Sequence, residues 1–109
     1  MKVSEMVEKL NLVVYSGEKG LNNEIKGGYT SDLLSDVMGN ADNGYVWITL
    51  QTHKNIMAIS SLKELAAIIL IKGAKPEEDT IAQSNIENIP ILGANLSTFE
   101  ISGRLFNIL

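Results

Sequence analysis

Hydrophobic and polar positions along the chain fall into short blocks whose spacing switches between helical and extended. Val3, Met6, Val7 and Leu10 recur at helical spacing between Glu5, Glu8 and Lys9, which predicts a short amphipathic helix with Ser4 as a cap. Leu12-Val13-Val14-Tyr15 is β-branched and aromatic and predicts a strand. Ser16 to Asn23 has the glycine and asparagine content of a loop. Glu24-Ile25-Lys26 resumes extended structure and ends at Gly27-Gly28, where paired glycines predict a sharp turn or a close backbone approach. Leu33, Leu34, Val37 and Met38 form the next helical face. Thr30 or Ser31 can cap it, Asp32 complements its positive end, and Gly39 can close it.

The centre of the pattern runs from Gly44 to Lys72. Tyr45 to Leu50 is an apolar strand of the kind buried on both faces, and Tyr45 and Trp47 belong to core or interface. Ile56 to Ser60 could be extended, with a helix starting at the capping box Ser61-Leu62-Lys63-Glu64. That leaves too little chain before the strand Ile68–Ile71 for a parallel crossover. A helix from about Lys54 to Leu65 is therefore preferred, with Ile56, Ile59 and Leu62 on its buried face and Ala58 and Ser60 close to the sheet. Pro76 suits a first helical position and Glu77, Glu78 and Asp79 a first turn, giving a helix to about Ile86. Ile89 to Leu92 is a short last strand, Gly93-Ala94-Asn95 a turn, and Ser97-Thr98-Phe99-Glu100 a capping box that starts a helix to about Ile108. Gly103 within it costs about 1 kcal/mol against alanine, which predicts close packing on a neighbour.

From Gly44 onward strand and helix alternate, the signature of a parallel sheet with right-handed crossovers. The expectation is one α/β domain over 1–109, with a mostly parallel sheet of about five strands and helices on both faces. The loops after Leu50, Ile71 and Leu92 would then share one rim and face a common hollow.

Composition narrows the partners. The chain has 109 residues, 45% of them hydrophobic and 20% charged, and a formal net charge of −4. No lysine or arginine cluster offers a phosphate-neutralising face, which argues against nucleic acid. Cysteine is absent, so disulfides, thiolate nucleophiles and Cys-ligated metal sites are excluded, and a reducing cytoplasm fits. No apolar run reaches bilayer length, and Met1 to Leu10 has acids where a signal peptide has an unbroken apolar core. The match of Asn95-Leu96-Ser97 to a glycosylation sequon is then a coincidence.

The turn Gln51-Thr52-His53-Lys54-Asn55 is the densest set of side-chain hydrogen-bonding groups and holds the single histidine. His53 could bind a phosphate or act as acid or base, or it could be a loop histidine bonded to backbone or water. Gln51 and Asn55 could read a base, sugar or carboxylate, or could tie down their own turn. Gly28 lies in Gly27-Gly28-Tyr29, which lacks the G-x-G-x-x-G spacing of a phosphate cradle and reads as a structural turn. Ser31-Asp32 and Ser97-Thr98 are helix caps first, and a capped helix start can also hold an anion. Asp32, Asp36 and Asp42 match no calcium loop, so no metal site is predicted, and no cofactor. No nucleophile, base and orienting group stand together, so no catalytic residue is assigned and the chain is read as a non-enzyme.

Four segments carry a resemblance: G-G-Y-x-S-D-L-L-S-x-V-M from Gly27 to Met38, V-W-I-T-x-Q-x-H-x-N-I from Val46 to Ile56, Ala67-Ile68-Ile69-Leu70 followed by K-G-x-x-P ending at Pro76, and Ser97-Thr98-Phe99-Glu100. Over nearly its whole length the chain resembles the DRTGG-domain family, in particular the small stand-alone members related to the N-terminal domain of HPr kinase. The five-letter motif itself is absent: Thr52-His53 stands where the family has Asp-Arg, and Lys72-Gly73 where it has Thr-Gly-Gly. The resemblance implies an α/β domain that tends to dimerise and occurs alone or beside phosphotransacetylase, CBS-pair and pyrophosphatase domains. It implies no kinase activity, since the G-x-x-x-x-G-K-[ST] loop is absent.

Together these readings predict a non-catalytic regulatory domain. It would sense a small anionic metabolite or nucleotide as a homodimer, through Gly28, Ser31, Asp32, Gln51, His53, Asn55, Lys72, Ser97 and Thr98. The alternative is an interaction or scaffold module for a partner enzyme, which the apolar C-terminal residues Leu105, Phe106, Ile108 and Leu109 favour.

Overall fold

The structure, a computed structural model, describes residues 1–109. In chain order the elements are α1 (Val3–Leu10), β1 (Val13–Ser16), β2 (Gly27–Thr30), α2 (Leu34–Asn40), β3 (Tyr45–Thr49), α3 (Asn55–Leu62), β4 (Ala67–Leu70), α4 (Glu78–Glu87), β5 (Ile91–Gly93) and α5 (Thr98–Ile108), with a 3-10 turn at Glu18–Gly20. The five strands form one sheet in the order β1-β5-β4-β3-β2. β2, β3, β4 and β5 run parallel, and β1 closes the far side antiparallel to β5.

The apolar alternation of the central strands divides the core in two. Val46, Ile48, Ala67, Ile69, Ile71 and Leu92 face the layer of α1 and α5, where Val3, Met6, Ile101 and Leu105 pack on them. Trp47, Ile68, Leu70 and Ile91 face the opposite layer, where Val37, Ile56, Met57 and Ile59 pack. Every residue of β4 is buried, as expected of a strand with parallel neighbours on both sides and helices on both faces. The α/β sandwich with a mostly parallel sheet is the architecture that the alternating pattern predicts.

Ile56 to Ser60 lies in α3, as the length of a parallel crossover requires. Several finer expectations are corrected. Gly27-Gly28 is no turn: both glycines belong to β2, paired with Tyr45 and Val46, and a Cβ on Gly27 would lie 2.7 Å from the Tyr45 ring. Ser31 and Asp32 do not begin a helix. α2 starts at Leu34 without a side-chain cap, and it runs through Gly39 to Asn40. α3 ends at Leu62, which is 70% exposed, while Met57 takes the buried place. Pro76 precedes α4, whose first residue is Glu78. Gly103 has no neighbour within 4 Å of an added Cβ, so close packing does not explain it.

α4 hides its packing from a hydrophobic pattern, because its buried residues are Thr80 and Ser84. Ser16 Oγ donates to Ser84 Oγ at 2.9 Å, and Ser84 donates on to the Ile89 carbonyl at 2.7 Å. Thr80 Oγ1 donates to the Thr52 carbonyl at 3.0 Å. Both buried hydroxyls of α4 thus have a partner, which makes its polar buried face tolerable.

Candidate functional site

The parallel pairing of β2 to β5 brings the four loops at their carboxyl ends to one rim, in the order 93–97, 71–77, 49–54 and 30–34 across the sheet. Backbone hydrogen bonds stitch neighbours together. Gly73 N donates to Ala94 O at 3.1 Å, Lys72 N to Leu96 O at 2.9 Å, Ile71 N to Thr49 O at 3.3 Å, and Glu77 N to Thr52 O at 3.3 Å. The rim expected from the sequence therefore exists.

Asp32 anchors one end of it. Its Oδ1 accepts from Thr49 Oγ1 and from Leu50 N, both at 2.8 Å. Gln51 returns the contact: its Nε2 donates to the Asp32 carbonyl at 3.0 Å, and its N–H to Thr49 Oγ1 at 3.1 Å. Asp32 thus caps the end of β3 and not a helix. Gln51 ties down its own turn, and its amide keeps capacity on the exposed side. Ser31 serves the same loop, its Oγ accepting from Leu33 N at 3.1 Å and its carbonyl from Trp47 Nε1 at 2.8 Å.

His53 sits at the middle of the rim, where its Nδ1 pairs with the Glu77 carboxylate; the two side chains are 64% and 48% exposed. So exposed a pair adds little to stability. Nε2 has no hydrogen-bond partner within the chain, and the partner of the imidazole is an acid rather than the backbone. Lys72 holds a left-handed backbone at φ 55°, which turns the chain off β4, and it is exposed, as are Lys54 and Lys75. None of the three lysines is in an ion pair within the chain. At the far end Ser97 Oγ accepts from Glu100 N at 3.2 Å, the predicted cap, with Thr98 the first residue of α5.

Two of the sequence candidates lie apart from this group. Gly28 is on the outer edge strand, where a Cβ would meet Leu105 Cδ2 at 3.2 Å. Asn55 opens α3 and, with Lys54, lines a groove of about 540 Å³ between α3 and α4. The largest cavities are elsewhere than the rim. Besides that groove, one of about 420 Å³ lies at the amino ends of the strands among Asn23, Asn43, Glu64, Glu87 and Asn88. Another, of about 360 Å³, lies between Tyr15, Lys19 and Asn85. The rim is thus a polar surface rather than the hollow expected from topology.

Sequence reading missed Glu77 as the partner of His53 and Tyr29 as a polar participant. The Tyr29 hydroxyl lies 2.8 and 2.9 Å from the two carboxylate oxygens of Asp36, and Asn40 Nδ2 donates to Asp36 Oδ1 at 3.0 Å. The hydrogen bond from Tyr29 holds the Asp36 carboxyl below its ordinary range, and the same bond raises the Tyr29 phenol. Tyr29 and Asp36 are seven residues apart across a strand-to-helix loop, and no local spacing rule links such a pair.

No family model matches the chain, and no curated protein matches it. Among solved structures it is similar to the regulatory region of a Clostridium perfringens pyrophosphatase, comprising CBS and DRTGG domains in complex with the activator diadenosine tetraphosphate. The TM-score is 0.73 at 14% sequence identity, and the match covers 94% of this chain and 44% of that one. The chain therefore spans less than half the length of the matched regulatory region. At that identity the similarity is one of fold, and it gives this chain a DRTGG-like α/β fold.

Proposed function

We propose that this domain is a non-catalytic regulatory module that takes a small anionic metabolite or nucleotide at the carboxyl rim of its sheet. The observation that carries the reading is that the rim loops bear donors with free capacity: Gln51, His53, and Lys72 and Lys75, whose ammonium groups are in no ion pair within the chain. Opposite charge favours an anion, and Ser97 and Thr98 add hydroxyls at the start of α5. Gly28, Ser31, Asp32 and Asn55 belong to the proposal as residues that shape or flank the surface. The fold shared with a pyrophosphatase regulatory region complexed with diadenosine tetraphosphate supports the class of ligand. The relation to the N-terminal domain of HPr kinase rests on the sequence motifs alone.

The module acts as a homodimer in the cytoplasm and reports the ligand to a partner enzyme. No helix is long and apolar enough to cross a membrane. Calorimetric titration with AMP, ATP and diadenosine tetraphosphate tests the ligand. Binding should release heat and perturb amide signals of residues 49–55 and 71–75. Absence of heat with all three, in a folded sample, overturns it.

A second reading, a scaffold that binds a partner protein without a small ligand, is favoured by one feature. Phe99 and Phe106 on α5 are 88% and 87% exposed, an unusual placement for large aromatics on a small domain. Co-purification of a partner, with no nucleotide response, would select it.

A further inference from the structure

The single Asn-Gly pair of the sequence, Asn43-Gly44, forms the turn that leads into β3. Tyr45 N closes the turn by donating to Asp42 O at 3.0 Å, and Gly44 takes a φ of 80°, which favours glycine. Gly44 also joins two neighbouring segments. Its N–H donates to the Glu64 carbonyl at 2.9 Å, and its own carbonyl accepts from Lys26 N at 2.9 Å. The exposed Asn43 side chain is held by the same residue, Nδ2 donating to Glu64 Oε2 at 3.2 Å. Glu64 lies in the loop between α3 and β4 and has a left-handed backbone at φ 52°. The Gly44 nitrogen and the Asn43 amide are groups that can react with each other, since glycine has no Cβ to shield its nitrogen. Both are bonded to Glu64.

We propose that Asn43 is a site of spontaneous deamidation, and that Glu64 restrains the reaction in the folded chain. A solvent base takes the Gly44 amide proton, Gly44 N bonds to Asn43 Cγ, and Nδ2 leaves as ammonia with a proton from water. Water then opens the succinimide at one of its two carbonyls, leaving aspartate or isoaspartate at position 43. Water is the one co-reactant, and nothing is oxidised or reduced. In the fold the attacking nitrogen's proton is engaged by Glu64 O and the leaving amide by Glu64 Oε2, so both bonds must break before the ring can close. The rate therefore follows local opening of the turn from the α3–β4 loop. The product replaces a donor to Glu64 with another acid, beside Asp42 and in the cavity already lined by Glu24, Glu64 and Glu87. Isoaspartate also adds a methylene to the main chain next to Gly44, whose two backbone bonds tie the entries of β2 and β4 to β3. Deamidation thus loosens the amino end of the sheet irreversibly. The carboxyl rim is at the opposite end, so this inference stands apart from the ligand reading.

The test is to age the whole chain at mildly alkaline pH and follow the NH2-to-OH exchange by intact mass and peptide mapping. Exchange should occur at Asn43 before any other asparagine, and about tenfold or more slowly in the folded chain than in the urea-unfolded chain at the same pH. Glu64→Gly removes the carboxylate and suits the left-handed backbone, and it should speed the folded-state rate about threefold or more. Glu64→Gln keeps an acceptor oxygen and should stay nearer the wild-type rate. If Glu64→Gly fails to fold, urea below the global transition makes the same test on the wild type, where the rate at Asn43 should climb before the core unfolds. Asn43→Asp should speed hydrogen exchange at Lys26 and Gly44 and leave residues 49–55 unchanged. Equal rates in folded and unfolded chains, or a Glu64→Gly rate equal to wild type, overturn the restraint. First exchange at a different asparagine overturns the site.

Discussion

The two ends of the parallel sheet are built differently. At the amino ends of the strands the backbone itself is packed tight. A Cβ on Gly20 would overlap the Asn88 carbonyl, one on Gly17 would lie 2.6 Å from the Ile89 carbonyl oxygen, and Asn23 Nδ2 bridges the carbonyls of Ala66 and Asn88 at 3.1 and 3.2 Å. The cavity there is lined by Glu24, Glu64 and Glu87, and two of these carboxylates already accept from Asn43 and Ser61. At the carboxyl rim side chains do the joining, through Asp32, Gln51 and the His53–Glu77 pair, and exposed lysines have no partner. The end with the larger hollow therefore has the wrong charge for an anion, and the end with free cations has little depth. Concavity and chemistry are separable features, and in the proposed reading charge rather than volume selects the rim.

This contrast can be broken or sharpened by substitution, beginning with the largest effect. Gly20→Ala forces backbone apart at the amino end and should cost about 3 kcal/mol in chemical denaturation. A near-neutral result would show that this end yields easily. Asp32→Ala strips partners from Thr49 Oγ1, which is 1% exposed, and from Leu50 N, and should cost about 2 kcal/mol. It should also loosen amide protection at Leu50 and Gln51, while leaving protection near Asn88 unchanged. Lys72→Gln removes a rim cation without touching the backbone bond to Leu96, and should weaken nucleotide binding about tenfold, about 1.4 kcal/mol. An unchanged titration curve would move the anion away from the rim.

The smallest effect concerns pH. The Asp36 carboxyl is lowered in the folded chain by the Tyr29 hydrogen bond. Its stabilisation is present above the unfolded carboxylate pKa of about 3.9 and is lost as pH falls through the lower folded value. Tyr29→Phe should bring the Asp36 titration, followed by NMR, back up toward the ordinary range and flatten that acid limb of stability. The raised Tyr29 phenol gives the opposite limb: its contribution holds below pH about 10 and fades as pH climbs past the folded value.

Much of this molecule is legible in its sequence. α1, α3, β3, β4 and α5 follow from periods of apolar spacing, from crossover length and from the Ser97 cap, all of which act over a few neighbouring residues. The rim followed from the same order, because a run of parallel strands must send its loops to one end. Tertiary contact alone decided the rest. Gly27 and Gly28 look like a turn until the Tyr45 ring and Leu105 are placed beside them in the sheet. Asp32 looks like a helix cap until Leu50 N, eighteen residues on, competes for its oxygen. Leu62 points to solvent and Ser84 to the core because the neighbouring strand and helix supply what each position must satisfy, and no local pattern encodes those partners.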